Sequence, residues 1–236
     1  MFKYLFIILL ILSSAIAENN SKKLIKIAII DTGLNLEDPR FKFHLCKEGH
    51  TNYTRESIED KHGHGTHVAG TIVENAGNSN FCLVILKHVE ADGLGDLYNY
   101  LRALNKAVNL GVDIVNISGG GTYYSEIEKH LIKTHPNILF IAAVGNENKN
   151  IEDFPFYPAS YFELPNVIRV GSLLHDGKKA PSSNFSKNMA WEVGDNIYST
   201  LPDGKFGYMS GSSMATGVKT GKMVRKLYEN SNIKHY

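Results

Sequence analysis

The sequence predicts an α/β fold with three layers, in which a mostly parallel central sheet has helices on both faces. Compact apolar runs, typical of buried strands, alternate along the chain with segments of helical periodicity. Such alternation is typical of βαβ units, which place parallel strands side by side and helices over the sheet. No internal repeat interrupts the pattern. The predicted strands cover residues 24–30, 81–86, 112–117, 138–144 and 167–170.

Helices are predicted where apolar residues recur at helical spacing. Residues 96–110 have leucines and a valine on one face, and Gly111 follows where a helix would end. Ser125 and Glu128 have the spacing of a capping box, which predicts that another helix begins there. The last two predicted elements are a hairpin over residues 197–208, turning at Pro202-Asp203-Gly204, and a helix over residues 214–228.

Charge and length exclude some classes of protein. The chain has 236 residues, with 25 Lys and Arg against 24 Asp and Glu. A balanced chain without a basic run lacks the electrostatic footprint of a nucleic-acid-binding protein, so nucleic acid is not expected as a partner. Residues 18–236 are enough for one well-buried core and too few for two comfortable domains, so we expect a single domain.

The first 17 residues have the layout of a secretory signal peptide. Lys3 supplies a positive charge, residues 5–12 are unbroken apolar sequence, and Ala15-Ile16-Ala17 is a small-residue cleavage site. A membrane anchor is the alternative, but an apolar stretch of about 12 residues is short against the roughly 20 that a spanning helix needs. We expect residues 1–17 to be removed and the mature domain to be secreted or periplasmic, without a membrane partner.

The chain has two cysteines, Cys46 and Cys82. An even number of cysteines in an exported protein permits one disulfide bond. Two unpaired thiols are the alternative, and the sequence leaves this choice open. A single pair is too few for a zinc site of the four-cysteine kind.

Four polar residues lie where predicted strands end or helices begin. Ligands bind outside the carboxyl ends of the strands in an open parallel sheet, so we expect these residues at that edge. They are Asp31 after the first strand, His64 at the start of a helix, Asn146 after residues 138–144, and Ser213 before the last helix.

These residue types are the parts of an acyl-transfer site. A serine hydroxyl is a weak nucleophile until a neutral imidazole takes its proton, and the imidazole needs a carboxylate to fix its tautomer and stabilise its charged form. A serine at a helix N-terminus also has backbone N–H groups nearby that suit a developing oxyanion. The amide of Asn146 can donate a second hydrogen bond to it, and Gly65 and Gly211 allow a peptide backbone to approach closely.

Short motifs surround these residues. They are Asp31-Thr32-Gly33, His64-Gly65-Thr66-His67-Val68-Ala69-Gly70, Ser118-Gly119-Gly120, Gly145-Asn146-Glu147 and Gly211-Ser212-Ser213-Met214-Ala215. These motifs resemble those of the subtilisin-like serine proteases (subtilases, peptidase family S8). The three active-site motifs of that family are matched in order, and the similarity extends over about residues 24–218.

The resemblance implies a subtilisin-like fold and a serine endopeptidase that cleaves peptide bonds through an acyl-enzyme. It implies that Ser213 is the nucleophile and His64 the general base and then acid. Asp31 would orient the imidazole, and Asn146 would donate a hydrogen bond to the oxyanion. The implied partner is a protein or peptide substrate.

The resemblance also implies where a substrate would bind. An extended peptide would pair as an added strand with Ser118, Gly119 and Gly120. The primary pocket would lie between that strand and the segment that contains Ala143, Gly145 and Asn146. We expect Phe156 to form its floor, which would leave a shallow pocket for small or medium apolar side chains.

We predict neither a cofactor nor a bound metal, although weak calcium sites stay open. Residues 74–80 are short where relatives often have a calcium loop, and Glu74 is their only carboxylate. The run His62-Gly63-His64-Gly65-Thr66-His67 favours a metal-dependent hydrolase as an alternative, because it resembles the histidine motif of metallo-β-lactamase-fold enzymes. Thr66, however, occupies the place of the aspartate in that motif, and no downstream ligand set is evident.

A second alternative is a catalytically impaired subtilase-like protein that binds peptides without cleaving them. Residues 18–30 are few where relatives have a propeptide, and 23 residues follow Ser213. Gly217 occupies the place of a proline, which would fix the backbone near the start of the helix. The complete set of triad residues favours the enzyme instead.

Overall fold

A computed structural model describes residues 23–231, and the signal peptide predicted for residues 1–17 lies outside that range. The strands of the described part are β1 Ile25–Asp31, β2 Thr51–Asn52, β3 Phe81–Lys87, β4 Ile114–Ile117, β5 Leu139–Ala143, β6 Val167–Leu173, β7 Ala190–Val193, β8 Ile197–Thr200 and β9 Phe206–Met209. The helices of that part are α1 His64–Ala76, α2 Leu97–Asn109, α3 Glu126–Lys133 and α4 Ser212–Ser231.

The first seven of these strands form one parallel sheet, in the order β2-β3-β1-β4-β5-β6-β7. The strands β8 and β9 pair separately as an antiparallel hairpin. The strand order changes direction at β1, which has β3 on one side and β4 on the other. Asp31, the last residue of β1, therefore lies at the switch point where open α/β sheets bind ligands.

The centre of the sheet is buried on both faces because β1 has apolar side chains on each. Ile25, Ile27 and Ile29 contribute to one core, and Ala28 and Ile30 to the other. The helices α1 and α4 cover the first core, and α2 and α3 cover the second. The predicted three-layer α/β fold with a mostly parallel sheet is confirmed.

Glycines allow α4 to pack closely against α1. A Cβ atom on Gly221 would lie 2.5 Å from the Cβ of Asn75 and 2.6 Å from the carbonyl oxygen of Ile72. A Cβ on Gly217 would lie 3.2 Å from Thr71 Cγ2. This close contact fixes the two helices relative to each other, and each of them has a candidate site residue in its first turn, His64 in α1 and Ser213 in α4.

Most predicted elements are present with slightly different ends. The final helix begins at Ser212 rather than at residue 214, and β4 begins at Ile114 rather than at residue 112. The predicted hairpin is confirmed as β8 and β9. The short edge strands β2 and β7 were not predicted, because neither has a compact apolar run.

The start of α3 is as predicted, but the capping box is only half formed. Ser125 Oγ accepts a hydrogen bond from the backbone N–H of Glu128, at 3.2 Å. The Glu128 carboxylate accepts hydrogen bonds from the hydroxyls of Tyr100 and Tyr161. The expected return bond to the backbone of Ser125 is therefore wrong, because tertiary contacts with tyrosines replace it.

A disulfide bond joins Cys46 to Cys82. Cys82 is in β3, and the backbone N–H of Cys46 donates to the carbonyl oxygen of Leu83 in the same strand. The bond therefore fixes the segment before β2 to the sheet. None of the helices in residues 23–231 combines the length and the apolar character that crossing a bilayer requires.

Candidate active site

Asp31 and His64 are in direct contact. Asp31 Oδ1 lies 2.7 Å from His64 Nδ1 and also accepts a hydrogen bond from the backbone N–H of Thr32, at 2.7 Å. The Asp31 side chain is buried, whereas that of His64 is 23% exposed. The carboxylate thus fixes Nδ1 as the protonated nitrogen and leaves Nε2 available to take a proton.

The two groups shift each other's pKa in opposite directions. Burial alone would raise the pKa of Asp31, but the charge of His64 and hydrogen bonds from His64 and Thr32 hold it below its ordinary value of 3.8. Burial alone would lower the pKa of His64, but the charge of Asp31 and the hydrogen bond to it raise the pKa above 6.5. The pair therefore favours a positive imidazolium next to a carboxylate, the charge state that general-base catalysis creates.

Asp60 fixes the start of α1, where His64 lies. Its Oδ1 accepts hydrogen bonds from the backbone N–H of Gly63 and from the hydroxyl of Thr32, and its Oδ2 accepts from the backbone N–H and hydroxyl of Thr66. Thr32 Oγ1 in turn accepts from the backbone N–H of Gly65, at 2.8 Å. One buried carboxylate therefore holds the end of β1 and the first turn of α1 together.

Ser213 is in the first turn of α4, and its hydroxyl donates to the carbonyl oxygen of Ser118, at 2.6 Å. The Ser118 hydroxyl donates to the carbonyl oxygen of Ser213, at 3.2 Å, so the two residues are linked twice. Among the described residues, the Ser213 hydroxyl has no hydrogen bond to His64. The structure thus brings Ser213 to the candidate substrate strand, with its hydroxyl directed to that strand.

Asn146 lies beside the first turn of α4. Its Oδ1 accepts a hydrogen bond from the backbone N–H of Ser212, at 2.9 Å, and the backbone N–H of the preceding Gly145 donates to Ser212 Oγ, at 3.2 Å. The oxygen of the amide is thus engaged. Its Nδ2 donor has no hydrogen bond within residues 23–231, so it can donate to another group.

The predicted substrate strand is bordered by Phe156. Gly119 has open space where a Cβ would lie, whereas a Cβ on Gly120 would be 2.5 Å from Phe156 Cε1. A Cβ on Gly145 would be 3.1 Å from Phe156 Cδ2. The phenyl ring therefore lies between the two segments that were predicted to form the pocket. Ala143 is buried as the last residue of β5.

The three neighbouring histidines do not converge. His62 is exposed, and His64 binds Asp31. His67 is fully buried, and its Nε2 contacts the carbonyl oxygens of Ile197 and Gly207 in the hairpin. No group of three or more His, Cys, Asp or Glu residues in the described part of the chain is arranged to hold a metal ion.

Two side chains of residues 74–80, the segment for which no calcium loop was predicted, make structural contacts. The side chain of Asn75 donates to the carbonyl oxygen of Thr71 within α1, and Ser79 donates to the carbonyl oxygen of Ala76. These contacts stabilise the end of α1.

Two positioning residues were missed by the sequence analysis. Asp60 is one, and its place four residues before His64 is the signal that could have found it. Asn184 is the other: its Oδ1 accepts from the backbone N–H groups of Glu147 and Lys149, and its Nδ2 donates to the carbonyl oxygen of Val144. It thereby fixes the turn that contains Asn146, and it has no local sequence signal.

Comparisons with known proteins identify the family to which the chain belongs. A family model described as the subtilase family, Peptidase S8, matches residues 22–234. The major intracellular serine protease of Bacillus subtilis (strain 168) is 34% identical, over 89% of this chain and 70% of that protein. The intracellular serine protease of Paenibacillus polymyxa is 32% identical, over 81% of this chain and 63% of that protein.

Among solved structures, the crystal structure of a cold adapted subtilisin-like serine proteinase has a TM-score of 0.75 and 25% sequence identity. The match covers 88% of this chain and 76% of that one. Family model, relatives and fold agree, and the resemblance inferred from the motifs is confirmed. The chain belongs to the subtilase family of serine proteases.

Proposed function

We propose that this protein is an endopeptidase that cleaves peptide bonds through an acyl-enzyme, with Ser213 as nucleophile. The observation that carries the proposal is the 2.7 Å contact between Asp31 and His64, where a buried carboxylate orients an imidazole that is still partly exposed. An imidazole that is bound through Nδ1 and keeps Nε2 free is in the state that a general base requires. Membership of the subtilase family supports the same chemistry.

In the proposed acylation step, Ser213 Oγ attacks the carbonyl carbon of the scissile bond while His64 Nε2 takes the hydroxyl proton. Asp31 stabilises the resulting imidazolium. The proton then passes from His64 to the leaving amine as the C–N bond breaks. A water molecule, deprotonated by His64, attacks the acyl carbon, and His64 returns the proton to Ser213 Oγ as the ester C–O bond breaks.

The negative oxygen of the tetrahedral intermediate needs donors that are already in place. The amide of Asn146 is held by its oxygen, so its Nδ2 is the candidate side-chain donor. The N-terminus of α4 supplies backbone N–H groups and the positive end of a helix dipole beside Ser213. These groups together would form the oxyanion hole.

A peptide would bind by pairing with residues 118–120. The carbonyl oxygen of Ser118 and the open face at Gly119 offer main-chain hydrogen bonds without steric hindrance. The ring of Phe156 occupies space between Gly120 and Gly145. We therefore propose a shallow primary pocket that favours small or medium apolar side chains, which a peptide-library profile dominated by Phe and Tyr would contradict.

We also propose that the protein is exported. The layout of residues 1–17 supports this. The Cys46–Cys82 disulfide supports it independently, because such bonds persist in oxidising compartments. Two relatives described above carry the word intracellular in their names, so cell fractionation with detection of the N-terminus of the mature chain is the deciding measurement.

One observation favours a second candidate, a peptide-binding protein without catalysis. The hydroxyl of Ser213 is hydrogen-bonded to Ser118 rather than to His64. If that bond persisted with a peptide bound, the nucleophile would not be activated, and the same groove would bind peptides without cleaving them.

Labelling with a fluorophosphonate probe separates the two candidates. The purified wild-type protein should be labelled at Ser213, and Ser213→Ala should not be labelled. Ser210→Ala is the matched control, because Ser210 is exposed and three residues away, and it should be labelled like the wild type. A folded wild-type protein that is not labelled and cleaves no peptide would contradict the proposed enzyme. Hydrolysis that survives Ser213→Ala and is lost with a chelator would indicate metal chemistry instead.

A further inference from the structure

A cavity of about 360 Å³ lies beside the candidate substrate strand, and Gly119, Gly120 and Gly121 form part of its lining. A Cβ on Gly119 or Gly121 would meet no atom within 4 Å, so there is open space at both positions. Its walls include the rings of Tyr100, Tyr123 and Tyr157. Besides these tyrosines, the ionisable residues that line it are Asp96, Glu128 and His88. The lining contains neither Lys nor Arg.

Glu128 is an unusual residue for such a wall because it is only 2% exposed. Its Oε1 accepts a hydrogen bond from the hydroxyl of Tyr100, at 2.6 Å, and its Oε2 from that of Tyr161, at 2.8 Å. Within residues 23–231, no cationic side chain lies within ion-pair distance of it. The neighbouring Lys129 pairs with Glu163 instead.

The histidine in the cavity does not supply the missing charge. Burial lowers the pKa of His88 to about 4, so its ring is neutral at neutral pH. Its Nδ1 is buried and has no hydrogen-bond partner among the described residues. Asp96 adds a second carboxylate, and hydrogen bonds from Asn99 hold the pKa of Asp96 below its ordinary value. Burial raises the pKa of Glu128, and the hydrogen bonds from Tyr100 and Tyr161 only partly oppose this, so a cation in the cavity would stabilise its charged form. Asp96 makes the cavity negative at neutral pH.

The chemistry of this cavity matches one class of side chain. A buried carboxylate without a cationic partner is costly, and a cation with hydrogen-bond donors compensates it. Tyrosine rings attract the same cation through their faces and contact the aliphatic part of a long side chain. Lysine and arginine have both features. An acidic side chain would be repelled, and an aliphatic one would leave the carboxylate unpaired.

The strand geometry indicates which part of a peptide reaches the cavity. The Ser213 hydroxyl contacts Ser118, which places the scissile bond there under the proposed function. Gly120 and Gly121 are two and three residues further along the chain, and a strand advances about 3.3 Å per residue. A side chain two to four residues from the scissile bond is therefore the one that enters.

We propose that this cavity binds a lysine or arginine side chain of the peptide substrate, two to four residues before the scissile bond, and that Glu128 is the residue that selects it. The inference rests on the proposed function, since it assigns a substrate class to the same groove. Its ligand is thus a basic peptide segment, whereas the primary pocket beside Phe156 accepts an apolar side chain.

The test compares internally quenched peptides that differ at one position. Arginine, norleucine, alanine or glutamate is placed singly at the second, third or fourth residue before the scissile bond, and kcat/KM is measured at neutral pH. At one of these positions, we expect kcat/KM of the arginine peptide to exceed that of the norleucine peptide by about 10-fold or more, as for a charge-assisted hydrogen bond in a buried site. Norleucine is the critical comparison because it keeps the aliphatic length without the charge.

Two variants assign the preference to its residue. Glu128→Gln keeps the size of the side chain and should reduce the ratio of arginine to norleucine to near 1. Glu126→Gln is the matched control, since Glu126 is exposed on the same helix and outside the cavity, and it should leave the ratio unchanged. Unaltered selectivity in Glu128→Gln would overturn the role of Glu128. A wild-type preference for norleucine or glutamate at all three positions would overturn the proposal, whatever the variant does.

A binding measurement separates failure of this inference from failure of the proposed function. If the wild type cleaves none of the peptides, the proposed function fails, and the dissociation constants of the same peptides for the intact Ser213→Ala protein become the readout. Arginine peptides that bind about 10-fold more tightly than norleucine peptides would still support the cavity assignment. Equal affinities would overturn it.

Discussion

The side-chain oxygen of Ser213 lies 2.6 Å from the backbone carbonyl oxygen of Ser118. The candidate nucleophile thus donates to the same carbonyl that would accept a hydrogen bond from a peptide N–H group under the proposed function. A bound peptide would compete for this acceptor. Once released from Ser118, the Ser213 hydroxyl would be free to bind His64, as the proposed function requires. In this account, peptide binding and activation of the nucleophile are coupled.

The first prediction concerns the donor of Asn146. Replacing Asn146 with Ala should lower kcat by about 10²–10³-fold, the loss observed for the corresponding donor in a member of this family, with a smaller effect on KM. Steady-state kinetics with a peptide ester measures both. Asn146→Asp keeps an oxygen for the Ser212 N–H and lacks the amide donor, so it should be impaired as well. An active Asn146→Asp enzyme would exclude the amide as an oxyanion donor.

The second prediction concerns the pH dependence of activity. His64 must be neutral to act as a base, and the charge of Asp31 helps raise its pKa above 6.5. The value of kcat/KM should therefore fall as the pH decreases through a pKa above 6.5.

The fall of kcat/KM at low pH is the acidic limb of the pH profile, and Asp31→Asn tests its origin. Without the carboxylate, the pKa of His64 should be lower, so the limb should move to lower pH. The maximal rate should also fall by about 10⁴-fold, as when the imidazole is held in the wrong tautomer. Asp176→Asn, a change in an exposed turn, is the control and should not move the limb. An acidic limb unchanged in Asp31→Asn would disprove the electrostatic coupling.

The third prediction concerns the contact between α1 and α4. Gly221→Ala places a methyl carbon 2.5 Å from the Cβ of Asn75 and 2.6 Å from the carbonyl oxygen of Ile72. Non-bonded atoms do not approach so closely, so the helices must separate. We expect the free energy of unfolding to decrease by about 1–3 kcal/mol, the usual cost of overpacking. Chemical denaturation measures this. Lys226→Ala, on the exposed side of the same helix, should change it by no more than about 0.5 kcal/mol.

The fourth prediction concerns the disulfide bond. Cys46 and Cys82 are 36 residues apart, so their bond restricts a substantial loop of the unfolded chain. Reduction should lower the free energy of unfolding by about 2–4 kcal/mol. The double variant Cys46→Ser/Cys82→Ser should show the same loss without reductant and no further response to it. Equal stability of the oxidised and reduced protein would show that the bond does not contribute to folding.

The sequence predicted the sheet and the candidate triad because their signals are local. The five predicted strands of the sheet are compact apolar runs, and Asp31 and His64 lie within short motifs whose residue types are chemically specific. The hairpin was predictable for the same reason, since Pro202-Asp203-Gly204 specifies a turn between two strands.

The rest depended on contacts between residues that are distant in sequence. Glu128 looked like half of a capping box, but hydroxyls from α2 and from Tyr161 bind its carboxylate. Lys87 ends a strand as a charged residue and is nevertheless fully buried, because Glu56 and the carbonyl oxygen of Glu59 accept its hydrogen bonds. The cavity beside the substrate strand results from such contacts, and no periodicity in the sequence indicates it.

Comparing single and double variants of His64 and Ser213 tests the central claim most directly, namely that these side chains act as one catalytic unit. Peptide hydrolysis is measured for the wild type, His64→Ala, Ser213→Ala and the double variant. Groups that act together are strongly non-additive, so each single variant should lose about as much kcat as the double variant, on the order of 10⁶-fold as in a related enzyme. Losses that multiply in the double variant, or a single variant with nearly full activity, would contradict the claim.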